Sequence, residues 1–296
     1  MRFKLKALLM LTIPFLIWGL ERFCHRQTDG FSRQRMESSL SFDPVWEVEK
    51  LDPAALKRVQ TILNQKFFYL ARGAQAYAFV SEDGLYVLKC FQHYRMRPPF
   101  WSYLLPSSFS ETKITRRRLL LEADFASYKI AYEKLKNETG LLFLHLNKSD
   151  YLDQKVIFVD NLGIHHEVSL DNIEFLLQKR GKLALPTIED LMKEGSLKKA
   201  QEAIEDLVHL TIERSKKGIF DKDPDFATNF GFHEGKAIQI DVGRFSLDPT
   251  RSDPEVYKVD LIHATDPLIK WLESHYPILS KHLINYRQTY VEKKTD

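Results

Sequence analysis

The sequence predicts an α+β chain in two lobes, a mostly antiparallel sheet with one inserted helix followed by a mostly helical, reduced half. Three observations carry this. Short apolar runs rich in β-branched and aromatic residues crowd residues 67–178, and apolar residues at helical spacing dominate from residue 187 onward. The 44% hydrophobic residues of the 296-residue chain supply a sizeable core. Gly181 marks the change of pattern. The expected organisation is a membrane anchor or signal segment over 1–26, a polar linker over 27–50 and one folded unit over 51–296. Its lobes are expected over about 51–181 and about 182–296.

Net charge is +3 from 43 basic and 40 acidic residues, which gives no whole-chain electrostatic case for nucleic acid, and no nucleic-acid partner is expected. Cys24 and Cys90 lie far apart in unlike contexts, which argues against a disulfide framework or a structural zinc site and fits a reducing compartment. At the N-terminus Arg2, Lys4 and Lys6 precede the apolar run Ala7 to Leu20, and Glu21, Arg22, His25 and Arg26 follow it. No small-residue cleavage site follows the run, so it reads as an uncleaved membrane anchor. A cleaved export signal and a buried helix are the alternatives, because a spanning helix needs about 20 apolar residues and Pro14 interrupts this run. Positive charge at both ends leaves the orientation unfixed.

Along the chain, Asp52 is a helix cap with Pro53 at the first helical position, and Ala55, Leu56, Val59, Ile62 and Leu63 form an apolar stripe. Strands are expected over Phe67 to Ala71, Tyr77 to Ser81 and Leu85 to Phe91. Asp83-Gly84 joins the last two, since both residues tolerate positive φ. Residues 94–118 read as an irregular insertion with Pro98, Pro99, Trp101, Tyr103 and Pro106, ending in the basic run Arg116 to Arg118. Leu121, Phe125, Tyr128, Tyr132 and Leu135 recur at helical spacing, and Thr139-Gly140 closes that helix. Further strands are expected over Leu141 to Leu146, Val156 to Val159 and Phe175 to Gln178. Thr187 to Asp190 resembles a capping box, Gly195 stops that helix, and Ser196 caps a longer one whose Ala200, Ile204, Leu207, Val208 and Thr211 face the core. Two C-terminal helices are expected around Ile262 to Leu272 and Leu279 to Tyr290.

The chemistry concentrates in residues 221–243. Phe230 to His233 and Lys236 to Ile240 read as strands around the turn Glu234-Gly235, and position 235 lies midway between Asn229 and Asp241. An antiparallel hairpin with that turn brings the Asn229 amide and the Asp241 carboxylate together at its open end. A carboxylate with an amide oxygen suits Mg²⁺, which takes its remaining ligands from water and phosphate. Upstream, Asp221-Lys222-Asp223-Pro224-Asp225 delivers three carboxylates, one of which is placed to accept a proton from an attacking hydroxyl, while Lys222 is placed to contact a phosphate.

This constellation resembles the catalytic loop and the metal-binding Asp-x-Gly (Asp241-Val242-Gly243) of the protein-kinase-like superfamily, especially its small-molecule and lipopolysaccharide-sugar kinases. Tyr86-Val87-Leu88-Lys89 is similar to the strand that carries the phosphate-contacting lysine, and Glu122 stands in the next helix, with Asp124 competing for the same role. The resemblance implies a two-lobed kinase-like fold that binds ATP and Mg²⁺, with Asn229 and Asp241 as metal ligands. Lys89, Glu122, Gly73 and Val87 would hold the nucleotide, Lys89 would also act in catalysis, and Asp223 would be the base with Asp221 and Asp225 behind it. The reaction implied moves the ATP γ-phosphoryl to a hydroxyl of a small-molecule, sugar or lipid acceptor at the membrane, with the domain on the cytoplasmic side where ATP is. Two departures favour an inactive, scaffold-like alternative: the family's aspartate stands five positions before the asparagine, where this chain has Pro224, and the phosphate-covering stretch Ala71 to Tyr77 holds one glycine, Gly73. About fifty residues follow Gly243, too few for the activation segment and helical lobe of a regulated protein kinase, so a small substrate, lipid or sugar is expected rather than a protein.

Overall fold

A computed structural model describes residues 2–93 and 107–292, and its elements run sheet first and helices second, as the hydrophobic pattern predicts. Helix α1 (Arg2–Gln27) leads through a turn into the one-turn helix α2 (Arg33–Met36). Among the described residues no helix is long and apolar enough to cross a membrane, although α1 leaves Phe15, Leu16, Ile17, Trp18, Leu20 and Phe23 exposed. Residues 27–50, expected as a linker, instead pack on the sheet. The Phe31 ring lies 5.4 Å from Tyr77 and 5.2 Å from Phe79, Met36 is buried, and Trp46 meets Phe125 edge-on at 5.5 Å.

Helix α3 (Pro53–Leu63) starts where its cap predicts, with the Asp52 carboxylate accepting the Ala55 amide at 2.8 Å. The meander β1 (Phe67–Arg72), β2 (Ala76–Ser81) and β3 (Tyr86–Phe91) follows, with Gly84 at φ +74° in the second turn. The expected insertion is only partly described: Arg95, Arg97, Pro98, Pro99, Trp101, Tyr103 and Pro106 lie outside the described residues, and helix α4 (Ser107–Lys134) already covers 107–118. Arg116 to Arg118 therefore stand on a helix rather than in an irregular loop. The short α5 (Lys136–Thr139) ends on Gly140, whose φ of +64° supplies the left-handed cap.

Strands β4 (Leu141–His145), β5 (Lys155–Val159), β6 (His165–Ser169) and β7 (Phe175–Lys179) complete a seven-stranded sheet in the order β4-β7-β3-β2-β1-β5-β6, antiparallel except for the β1–β5 pair. Strand β6 was not expected, because of its five residues only Val168 is buried and an edge strand of that kind carries little apolar signal. Strand β8 (Lys182–Leu183) opens the second lobe. Helix α6 (Ala184–Lys193) starts a turn earlier than the capping pattern suggested, since the Thr187 hydroxyl bonds back to the Leu183 carbonyl at 2.8 Å instead of capping. Ser196 precedes α7 (Leu197–Lys216) without a side-chain cap bond.

Next come β9 (Ile219–Asp221), the hairpin β10 (Phe230–His233) and β11 (Lys236–Gln239), and β12 (Phe245–Leu247), which pairs with β9. Helices α8 (Pro254–His275) and α9 (Pro277–Val291) close the chain, and Asp253 caps α8 by accepting the Glu255 amide. Ile204, Leu207 and Val208 of α7 pack with Leu261, Leu268 and Leu283 to form the core of the helical lobe. A separate cluster joins the lobes: Leu121, Phe125 and Tyr128 of α4 pack with Phe91 and Leu176 of the sheet and with Val242 and Phe245 beyond the hairpin. That cluster fixes how the sheet and the hairpin face each other.

Candidate active site

The β10–β11 turn takes positive φ at both central residues, +50° at Glu234 and +79° at Gly235, which matches the right-handed twist of the two strands. Phe230 pairs with Gln239, and the ladder continues one step past it. There the Asn229 carbonyl accepts the amides of Ile240 at 2.8 Å and Asp241 at 3.2 Å. Asn229 and Asp241 thus meet at the open end of the hairpin. The Asn229 side chain is buried and held on both atoms, donating from Nδ2 to the Asp223 carbonyl at 2.7 Å and accepting the Thr228 hydroxyl at 3.0 Å. Asp241 is exposed, its carboxylate accepts the Gly243 amide at 3.2 Å, and its charge acts on the nearby Tyr128 phenol.

Lys89 crosses to this mouth from the other lobe. It sits mid-strand between Ala78 and Leu176, and its Nζ donates to the Ile240 carbonyl at 2.5 Å, one residue before Asp241. Burial pulls the Lys89 pKa down, and the Asp241 carboxylate opposes that pull. Among the described residues this half-buried ammonium has one acceptor at hydrogen-bond distance, a neutral carbonyl. Val87, two residues earlier, is buried on the same side of the strand. Gly73 lies in the turn between β1 and β2, where its amide donates to the Ala76 carbonyl at 2.8 Å and its carbonyl accepts from Gln92 Nε2 at 3.2 Å.

The three carboxylates before the hairpin have different surroundings. Asp221 is buried and paired with Arg214 at 3.0 Å, and Gln239 donates to it at 2.6 Å, so it anchors the loop from behind. Asp225 folds back on its own loop, accepting the Ala227 amide and the Thr228 hydroxyl, each at 2.9 Å. Asp223 is exposed, and its backbone carbonyl holds the Asn229 amide. Of the three, Asp223 alone is exposed.

Helix α4 supplies the remaining wall. Glu122 pairs with Arg118 at 2.8 Å one turn back along its own helix. Asp124 lies instead in the fields of Asp241 and Arg244. Burial raises its pKa to about 7, with Asp241 adding to the rise and Arg244 opposing it. Its Oδ2 is buried without a hydrogen-bond partner, and its Oδ1 lies 3.5 Å from where a β-carbon on Gly243 would stand. One turn further, Ser127 donates to the Val242 carbonyl and accepts the Phe245 amide at 2.6 Å. The Tyr128 phenol is pushed well above its ordinary pKa by burial first and by Asp241 next.

Sequence reasoning passed over Ser127, Tyr128, Arg214 and Gln239 as site residues, and it ranked Asp124 behind Glu122. A helical wheel carries only part of the missing signal: at 100° per residue Asp124 falls about 70° from the centre of the stripe made by Leu121, Phe125, Tyr128 and Tyr132, and Glu122 about 90° away on the opposite flank.

The order expected from the kinase-like resemblance, a lysine strand, then an inserted helix, then a hairpin bearing Asn229 and Asp241, is also the spatial arrangement of this chain. No protein-family profile and no curated protein matches the chain. Among solved structures it is similar to WbdD, a bifunctional kinase-methyltransferase, at 14% identity and a TM-score of 0.34, over 75% of this chain and 43% of that one. The chain therefore spans less than half the length of the WbdD structures it matches. The ROP18 kinase domain in complex with AMP-PNP and sucrose is similar at 12% identity and a TM-score of 0.35, over 75% of this chain and 80% of that one. The streptomycin–ATP complex of APH(2")-IIa is similar at 12% identity and a TM-score of 0.32, over 83% of this chain and 98% of that one.

Proposed function

We propose that this chain is a phosphotransferase that moves the γ-phosphoryl group of ATP to a hydroxyl of a small-molecule, sugar or lipid acceptor. One observation carries the reading: the Lys89 ammonium from the sheet lobe lies 2.5 Å from the carbonyl next to Asp241, beside the Asn229 amide of the helical lobe. The donor set fits the ligand. Lys89 is a half-buried cation aimed at a mouth that also holds an exposed carboxylate and an amide, a combination suited to a triphosphate with its magnesium ion.

Lys89 orients the α and β phosphates in this reading, with Val87 against the base and Gly73 in the covering turn. Asn229 and Asp241 hold Mg²⁺, which neutralises charge on the β and γ phosphates when bound. Asp223 positions the acceptor hydroxyl and takes its proton. The acceptor oxygen bonds to the γ phosphorus as the bond to the bridging oxygen breaks, and ADP leaves. Asp221 does not touch substrate; its pairing with Arg214 sets the loop on which Asp223 and Asn229 stand. Asp124 takes the place expected of Glu122 as the α4 acid that faces the site.

Asp241→Asn tests the metal role. Asparagine keeps an oxygen for the Gly243 amide, so the melting temperature without nucleotide should hardly move. Transfer of ³²P from ATP should fall by at least about 100-fold. Retained turnover would refute the role. The single-glycine turn and the place of Pro224 five positions before Asn229 favour a second reading, a non-catalytic kinase-like scaffold. Thermal stabilisation by millimolar ATP with Mg²⁺ separates the two, and its absence would favour the scaffold.

A further inference from the structure

The β9–β12 pairing ends in two like charges. Asp221 pairs with Phe245, and one step beyond, the Lys222 amide donates to the Arg244 carbonyl at 3.3 Å, so these two residues stand opposite each other. Asp221 and Phe245 point inward, each 5% exposed, and strand alternation sends Lys222 and Arg244 outward on the other face. Both are exposed, and among the described residues neither is in an ion pair. Like charges directly opposite one another destabilise a strand pair. Among the described residues neither side chain forms a close ion pair, Arg244 acting only at longer range on Asp124, and local conflicts of this kind are expected at functional positions.

The pair flanks the mouth of the cleft. Lys222 precedes Asp223, Arg244 follows Gly243, and Arg244 is close enough to act on Asp124. Of the neighbouring carboxylates, Asp221 is paired with Arg214, Asp225 with its own loop and Asp241 with the Gly243 amide, while Asp223 is exposed and Asp124 feels the charge of Arg244. We propose that Lys222 and Arg244 form a recognition site for a phosphate monoester carried by the acceptor, two cations meeting one dianion beside the base. Arginine offers two parallel donors to phosphate oxygens and lysine a point charge, so the pair selects for charge while leaving the rest of the acceptor unspecified. This rests on the phosphotransferase reading for its place in a reaction, but the anion site stands on its own geometry.

Calorimetric titration of the protein saturated with AMP-PNP and Mg²⁺ tests it, with glycerol 3-phosphate, glycerol and dihexanoyl phosphatidate as probes. The phosphate-bearing probes should bind and glycerol should not. Preference for glycerol 3-phosphate indicates a soluble acceptor, and preference for phosphatidate a lipid headgroup. The double variant Lys222→Gln with Arg244→Gln should weaken the phosphate-bearing probes at least about tenfold, weaken AMP-PNP by much less than that, and melt no lower than wild type because it relieves a repulsion. Equal binding of glycerol and glycerol 3-phosphate, unchanged binding in the double variant, or an equal loss of AMP-PNP affinity would each overturn the proposal. Should AMP-PNP fail to bind wild type while glycerol 3-phosphate binds through Lys222 and Arg244, the transfer reading falls and the anion site remains.

Discussion

The β10–β11 hairpin and helix α4 both deliver groups to the neighbourhood of Asp241, and they do so through different physics. The hairpin is local: its two positive-φ turn residues and a register of four pairs bring Asn229 and Asp241 together within a dozen or so residues of chain. Helix α4 reaches the same place across 115 and 118 residues, through Ser127 on the Val242 carbonyl and the Phe245 amide. A wall made of local geometry can be written in a short motif. A wall made by docking is written in which face of a helix is apolar, and a carboxylate two residues away on that helix lands on another face.

The local wall nevertheless leans on one distant support, and removing it gives the largest expected effect. Arg214 of α7 donates to Asp221 at 3.0 Å and to the Gln239 side chain of the hairpin at 2.7 Å, with Arg214 and Asp221 both buried. Arg214→Met leaves an unpaired buried carboxylate and should lower stability by about 3–5 kcal/mol in urea unfolding. The double variant Arg214→Met with Asp221→Leu should recover most of that. A loss below about 1 kcal/mol in the single variant would mean that the hairpin holds its mouth without the ion pair.

On the docked wall the matching change is Ser127→Ala, which strips the buried Phe245 amide of its acceptor. A loss of about 1–3 kcal/mol is expected, the cost of an unsatisfied buried donor. Hydrogen exchange should report faster opening at Phe245 than at Ile240, whose amide is held by the hairpin itself. Equal protection at both would erase the distinction between the two walls.

How much of this was legible follows the same division. The meander, the hairpin and α7 were readable because their apolar periods and turn residues sit in contiguous sequence, and Lys89, Asn229 and Asp241 were readable with them. Residues 27–50 were not, because Phe31 and Met36 are isolated apolar residues in a polar stretch and their partners Tyr77 and Phe79 lie in the sheet. Strands β9 and β12 span three residues each, too few for a period. Asp221 looked equivalent to Asp223, yet it shares the inward face of β9 with Ile219, and that alternation places it against Arg214. Asp124 was not separable from Glu122, because the two flank the apolar stripe of α4 at nearly equal angles and only the docking of that helix decides between them.

Acid titration separates those two carboxylates. The Asp124 pKa stands at about 7 in the folded chain against an ordinary 3.8, so the folded state binds the extra proton over that interval. Stability from this group is complete below its unfolded pKa, falls as pH rises from about 4 to about 7, and is flat above. Asp124→Asn removes that slope. The variant should match wild type near pH 4 and exceed it near pH 8 in paired unfolding curves. Glu122→Gln breaks only a partly exposed pair with Arg118, so its effect should be the smallest, about 0.3–0.5 kcal/mol, falling with added salt and unrelated to the pH 4 to 7 window. If the slope disappeared in Glu122→Gln and persisted in Asp124→Asn, the acid that α4 turns toward Asp241 would be Glu122 after all. The docked wall would then be rotated by roughly half a turn from the one described, since residues two apart on a helix differ by about 200°.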